Sequence, residues 1–171
     1  MIGGLIQILF FLVLFGAALL AAGIMGNRLP LAEPPGWGTR LSTYLNTNVA
    51  ETTADSPFAE LRLRRYEAPP ALLFEITRKA VDRLRWDATL DHEKKEITAV
   101  VTTKMWKFKD DVTIQIQPAQ PSGSTLFVRS ASRTGKGDLG ANTRHVMDLM
   151  QMVDDTVKGS AGSMRVKSYE L

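Results

Sequence analysis

The sequence predicts an α+β fold in which an antiparallel sheet of about five strands carries two helices on one face, preceded by one N-terminal transmembrane helix. A charge-free apolar run opens the chain, two later segments repeat apolar residues at the helical period, and the remaining segments alternate apolar and polar residues at the strand period. The element order is strand, helix, four strands, helix. Because this order does not alternate strand with helix regularly, it favours an antiparallel sheet with helices on one face.

Residues 1–27 form the predicted transmembrane anchor. They carry no charged side chain, and at about 1.5 Å per residue some 20 helical residues cross a hydrocarbon core of about 30 Å. The alternative is a cleaved signal peptide, but no lysine or arginine precedes the apolar run. Arg28 and Arg40 favour a cytoplasmic domain by the positive-inside rule. Since N-terminal anchors commonly tether exported domains, we instead expect the domain on the periplasmic side of the membrane.

Residues 28–58 form the predicted linker. They contain four of the eight prolines and show neither apolar period. Trp37 is the exception in this stretch, and two interpretations remain open for it. It is either an interfacial residue close to the membrane surface or a side chain that packs on the domain.

The predicted α+β domain spans residues 59–158. Leu61 and Leu63 alternate with arginines and predict a short strand. A helix is predicted after the proline pair 69–70, because proline suits a first helical turn and apolar residues follow at helical spacing: Leu72, Leu73, Ile76, Ala80, Val81 and Leu84.

Period-two alternation then predicts four more strands. The apolar members of the first three are Trp86, Ala88 and Leu90, then Ile97, Ala99 and Val101, then Val112, Ile114 and Ile116. Residues 125–132 form the fourth. The second helix is marked by Val146, Leu149, Met150, Val153 and Val157. Residues 159–171 are expected to form a flexible tail.

The strand-to-helix junction at residues 128–142 is the densest polar stretch of the chain. Eight residues in and beside it are candidate ligand- or partner-binding residues: Arg129, Ser130, Ser132, Arg133, Lys136, Asp138, Asn142 and Arg144. Glycine-rich backbone that leads into a helix exposes N–H groups and suits an anion. The architectural alternative is that Asp138 or Asn142 caps the helix while the arginines tie the junction to the sheet.

Asp110 and Asp111 precede a strand, and we expect them to form structural ion pairs with Arg129 and Arg133 on the neighbouring strand. The alternative is an oxygen-rich site for Ca²⁺ or Mg²⁺ that includes Asp138. Because successive strand residues point to opposite faces, at most one of the two aspartates serves any one site. We therefore expect no metal and no other cofactor.

Composition and motifs also restrict the function classes. The net charge of +3 is dispersed rather than clustered, so we expect no nucleic-acid partner. The absence of cysteine excludes disulfides, thiolate metal ligands and cysteine nucleophiles. His92 and His145 lack a serine or carboxylate partner at a known motif spacing, and a triad that uses Ser130 or Ser132 is the remaining catalytic alternative.

Three ordered motifs resemble those of the domain of unknown function 1499 family. They are R-Y-E-A-P-P at 65–70, F-K-D-D at 108–111 and R-S-A-S-R-T-G-K-G-D-L-G-A-N at 129–142. The resemblance covers roughly residues 66–157 and implies a fold unit without implying a reaction. Lys136 and Gly137 stand where arginine and serine are frequent in that family.

Together these features predict a membrane-anchored, non-catalytic binding or accessory protein, such as a subunit or assembly partner of a membrane complex. Its expected partners are the membrane, through residues 1–27, and a membrane protein that contacts the junction. The alternative function is to bind a small anionic or lipidic ligand in the cleft between the helices and the sheet.

Overall fold

The structure is a computed structural model that describes residues 2–103, 107–160 and 166–168. It has the predicted α+β architecture, with an antiparallel sheet, helices packed on it and an apolar N-terminal helix. The helices are α1 (Ile2–Gly26), α2 (Trp37–Asn46), α3 (Pro70–Leu84) and α4 (Ala141–Ser160), and a 3₁₀ helix spans Ala59–Leu61. The strands are β1 (Val49–Glu51), β2 (Arg64–Tyr66), β3 (Asp87–Asp91), β4 (Glu96–Thr102), β5 (Lys109–Pro118), β6 (Ser124–Ser132) and β7 (Val166–Ser168).

The sheet has seven strands in the order β3-β4-β5-β6-β2-β7, with β1 also paired to β6. The named strands pair antiparallel. β6 is long enough to pair with two short strands in succession, with β2 along Ser124–Leu126 and with β1 along Arg129–Ala131. The five predicted strands are therefore present, and β1 and β7 add to them.

The core lies between the sheet and the pair α3 and α4. The side chains of β4 and β5 alternate between the two faces of the sheet, and those in phase with Ile97 and Ile114 point inward. Ile97 and Ile114 themselves are completely buried. Leu73 of α3 and Leu149 of α4 are also completely buried in this core. This confirms the predicted placement of two amphipathic helices on one face of the sheet.

α1 is long and apolar enough to span a membrane. Its large apolar side chains between Leu5 and Phe15 are 49–71% exposed, so most of the helix packs against nothing in the domain. Ile24 is the exception, and it is buried near the C-terminal end of the helix.

The predicted linker at residues 28–58 is wrong as a description of this segment, because it contains α2 and β1. The apolar residues of α2 do not mark its buried face, since its buried side chains are Arg40 and Tyr44, and β1 is only three residues long. The predicted strand near Leu61 is displaced, because Leu61 ends the 3₁₀ helix and β2 begins at Arg64.

The predicted flexible tail at residues 159–171 lies largely outside the described residues. Within it, α4 continues to Ser160, and β7 pairs with β2 at the edge of the sheet.

Candidate functional site

The β6–α4 loop (residues 133–140) meets the C-terminal end of α1. The Asn27 Nδ2 atom donates a hydrogen bond of 3.0 Å to the Leu139 carbonyl oxygen. Leu139 also packs so closely on Gly23 that a Cβ at that glycine would lie 2.6 Å from the leucine Cδ1. Gly23 is one helical turn from the end of α1, about 5 Å along the axis. The loop therefore lies beside the point where α1 ends.

The same loop is fastened to α2 and the residue that follows it. The Leu139 N–H donates to the Tyr44 carbonyl at 3.0 Å, and the Asp138 N–H donates to the Thr47 carbonyl at 3.2 Å. A Cβ at Gly137 would lie 2.2 Å from the Leu45 carbonyl oxygen, which is closer than real contacts allow. Glycine is thus required at position 137 by the approach of two backbones.

Asp138 caps α4. Its Oδ1 accepts the Gly140 N–H and its Oδ2 accepts the Asn142 N–H, each at 2.8 Å. Burial raises the pKa of this carboxyl group, and the two N–H donors oppose that shift. The N-terminal amides that suit an external anion are therefore already bound by a carboxylate of the chain itself.

The arginines of the junction are each held by an acidic residue. Arg133 contacts both oxygens of Asp111, at distances from 2.6 to 3.1 Å, and this contact lowers the pKa of the Asp111 carboxyl. Arg144 pairs with Asp148 on the next turn of α4.

The expected pairing of Arg129 is wrong, since its partner is Glu51 of β1 at 3.7 Å. Asp110 has no arginine partner among the described residues. β1 was not predicted, and Asp110 takes the inward phase of β5, away from the arginines on the outer face. Lys136 is exposed, and its ammonium has no hydrogen-bond or ion-pair partner in the part of the chain that the structure describes.

Ser130, Ser132 and Asn142 form a buried hydrogen-bond network between β6 and α4. The Ser130 hydroxyl donates to Asn142 Oδ1 at 2.6 Å. The Asn142 Nδ2 donates to Ser132 Oγ at 2.9 Å and to the Asn48 carbonyl at 2.8 Å. These predicted site residues are thus brought together, but behind the loop rather than on its surface.

Asp110 and His145 extend this network, which the sequence did not predict. Asp110 is completely buried, and neither carboxylate oxygen has a hydrogen-bond partner among the described residues. His145 Nδ1 lies 3.6 Å from Asp110 Oδ2 and 3.3 Å from Ser130 Oγ. Burial lowers the pKa of His145, and the nearby Asp110 opposes this. The sequence did contain one indication that Asp110 is buried, because the alternation along β5 places it on the same side as Val112.

This arrangement is not a catalytic triad. In a triad the nucleophile and the orienting carboxylate contact opposite ring nitrogens of the histidine. Here Ser130 and Asp110 both approach Nδ1 of His145, and Ser130 is completely buried. Among residues 2–103, 107–160 and 166–168, no group of three or more histidine, aspartate or glutamate side chains is placed to hold a metal ion.

Comparison with known proteins gives a family but no activity. No curated protein matches the chain. A family model described as "Protein of unknown function (DUF1499)" matches residues 40–153. The match covers more than half of the chain, begins inside α2 and ends inside α4, so it starts well before the predicted domain boundary at residue 59. The chain therefore belongs to the DUF1499 family of proteins of unknown function.

Proposed function

We propose that this protein is a membrane-anchored, non-catalytic accessory subunit of a membrane complex, with the exposed tip of the β6–α4 loop (residues 134–136) as its partner contact. The observation that carries this proposal is the position of the loop beside the C-terminal end of α1. A protein partner embedded in the same membrane would meet this end of the domain. The tip also carries Lys136, whose charge is not neutralised within the described residues.

The chemistry behind the loop supports a non-catalytic role. The hydroxyl and amide groups of Ser130, Ser132 and Asn142 are engaged with one another and with backbone. A nucleophile needs access to substrate, and Ser130 is completely buried. Its hydroxyl donates to Asn142 Oδ1 rather than to the His145 ring. The network instead links β6 to α4, and it thereby holds both ends of the β6–α4 loop in place.

The alternative role, binding a small anionic or lipidic ligand in the helix–sheet cleft, has weaker support. Asp138 already binds the first amides of α4, and the arginines beside the loop are paired with acidic side chains. An incoming anion would have to displace these carboxylates. We also propose that the domain lies on the periplasmic side, which a topology reporter fused after Leu171 would test by its activity on that side only.

Site-specific photocrosslinking in native membranes tests the partner contact. A photoreactive residue at position 136 should yield an adduct with one integral membrane protein that also co-purifies with the unmodified chain in a fixed ratio. The matched control is position 94, where the lysine side chain is 75% exposed in the β3–β4 turn at the other end of the sheet. Equal adducts from both positions, or an adduct with a second copy of this chain, would contradict the proposal.

A further inference from the structure

α2 carries an apolar edge that the domain leaves uncovered. Trp37, Leu41 and Leu45 are four residues apart and share one side of the helix. Trp37 is 71% exposed and Leu45 is 39% exposed, and Leu41 between them is partly buried. The neighbouring side, with Arg40 and Tyr44, is buried. Of the two interpretations of Trp37, packing on the domain is therefore wrong, and the exposed edge requires another explanation.

α2 is also fixed next to the end of α1. The Arg40 side chain donates from Nε to the Glu33 carbonyl at 3.0 Å and from Nη2 to the Pro34 carbonyl at 2.7 Å. These bonds join α2 to the short segment that follows α1. Near the C-terminal end of α2, the Tyr44 carbonyl accepts the N–H of Leu139, the residue that packs on Gly23 of α1. The helix therefore cannot move far from the place where the chain leaves the membrane.

We propose that α2 lies on the bilayer surface and contacts lipid through Trp37, Leu41 and Leu45. Tryptophan concentrates at membrane–water interfaces because its ring is apolar and its N–H is polar. Short amphipathic helices bind there through an apolar face, and cations beside them add attraction to anionic headgroups. Arg28 and Lys136 are exposed cations on the segments that flank α2. The contact holds the domain in one orientation on the membrane.

This inference rests on the insertion of α1 in the membrane, which the proposed function shares, but not on any protein partner. The natural chain contains no cysteine, so one introduced thiol reports on one position. Leu45→Cys reports on the apolar edge. Leu72→Cys is the matched control, because Leu72 is 42% exposed against 39% for Leu45. Leu72 lies in the first turn of α3, which begins two residues after Ala68. The Ala68 carbonyl accepts a hydrogen bond from Ser124, at the end of β6 farthest from the loop.

The full-length variants are reconstituted in vesicles that contain neutral and anionic phospholipids and are treated with a water-soluble maleimide. If the contact forms in nine of ten molecules, Leu45→Cys should react about tenfold more slowly than Leu72→Cys in the outward-facing molecules. Adding Trp37→Ser to Leu45→Cys should restore fast labelling, since the interfacial ring is lost while the buried side of α2 is unchanged.

Equal rates for the two single variants would overturn the inference while leaving the partner proposal standing. Protection that increases with the protein-to-lipid ratio would assign the edge to a second copy of the chain. Protection seen only in native membranes would assign it to another protein, and both results overturn lipid contact. If the chain does not float with the vesicles, the anchor fails, and with it both the inference and the proposed function.

Discussion

Arg40 is the buried charge on which the position of α2 depends, and its removal gives the most informative stability test. The side chain is completely buried and forms an ion pair with Glu60, whose side chain is 10% exposed. The guanidinium donates further hydrogen bonds to the Tyr44 hydroxyl and to the carbonyls of Glu33 and Pro34, and it lies 5.0 Å from the centre of the Phe58 ring. Every N–H of the guanidinium thus has an acceptor.

Arg40→Met keeps the aliphatic part of the side chain but leaves the largely buried Glu60 carboxylate without a counter-charge. Breaking a buried ion pair in this way costs about 3–5 kcal/mol. Domains of this size have unfolding free energies of roughly 5–15 kcal/mol, so the loss is a large fraction of the total. Adding Glu60→Gln removes the uncompensated charge, and the double variant should be more stable than the single one. It should still fall short of the parent, because the two carbonyls lose their donors at about 1 kcal/mol each.

Urea unfolding of the full-length chain in detergent, followed by circular dichroism, measures these differences. The control is Arg133→Met, which breaks a comparable pair with Asp111 in which the side chains are 47% and 53% exposed. Exposed pairs contribute at most about 1 kcal/mol. If Arg40→Met costs no more than Arg133→Met, or if Glu60→Gln brings no recovery, the burial of this arginine does not stabilise the domain and the reasoning fails.

Three further predictions concern the junction. Gly137→Ala should destabilise the chain by about 1–3 kcal/mol in the same urea assay, because its Cβ meets the Leu45 carbonyl oxygen, whereas Gly38→Ala, in α2 with open space around it, should stabilise by about 0.5–1 kcal/mol. Asp138→Ala should cost about 1 kcal/mol through loss of the α4 cap, and an equal cost for Asp55→Ala on the exposed surface would refute a capping role. Burial lowers the pKa of His145, so the unfolded chain binds the proton more tightly than the folded chain, and the free energy of unfolding should fall as pH drops below about 6.5. His145→Gln should weaken this pH dependence in urea unfolding curves recorded at successive pH values. An unchanged dependence of stability on pH would contradict the prediction.

The elements predicted from the sequence are those in which the apolar pattern repeats several times. α3 and the strand pair β4 and β5 each repeat their apolar residues several times, so the pattern identifies the buried face without knowledge of the neighbours. The apolar residues of α2 do not mark its buried face, which carries Arg40 and Tyr44. Arg40 is a buried residue only in the presence of acceptors from Glu33, Pro34 and Glu60. A guanidinium can be buried only where tertiary contacts supply its acceptors, and the period of apolar residues in the sequence does not predict such contacts.

The candidate site was predicted in composition but not in geometry. Ser130, Ser132 and Asn142 are three of the eight candidate residues, and their side chains form one hydrogen-bond network. The sequence left the α4 cap open between Asp138 and Asn142, and the hydrogen bonds from Gly140 and Asn142 identify Asp138 as the cap. The burial of Ser130 was not predicted, although the alternation along β6 places this residue on the same side as Leu126 and Val128. Its contact with Asn142 depends on how α4 lies across the sheet, and a local sequence pattern does not specify that angle.

The attachments of the β6–α4 loop limit where a partner contact can lie. Leu139 is held by α1, residues 137–139 approach the C-terminal end of α2, and Asp138 is bound to the first amides of α4. Residues 133–136 are the exposed portion of the loop, and Arg133 among them is paired with Asp111, which leaves the tip at residues 134–136 for a partner. The loop contacts both α1 and α2, so if α2 rests on lipid, it also sets the height and direction of the tip above the bilayer. Binding at the tip is then expected to depend on α2 even though Trp37 and Leu45 would not themselves touch the partner.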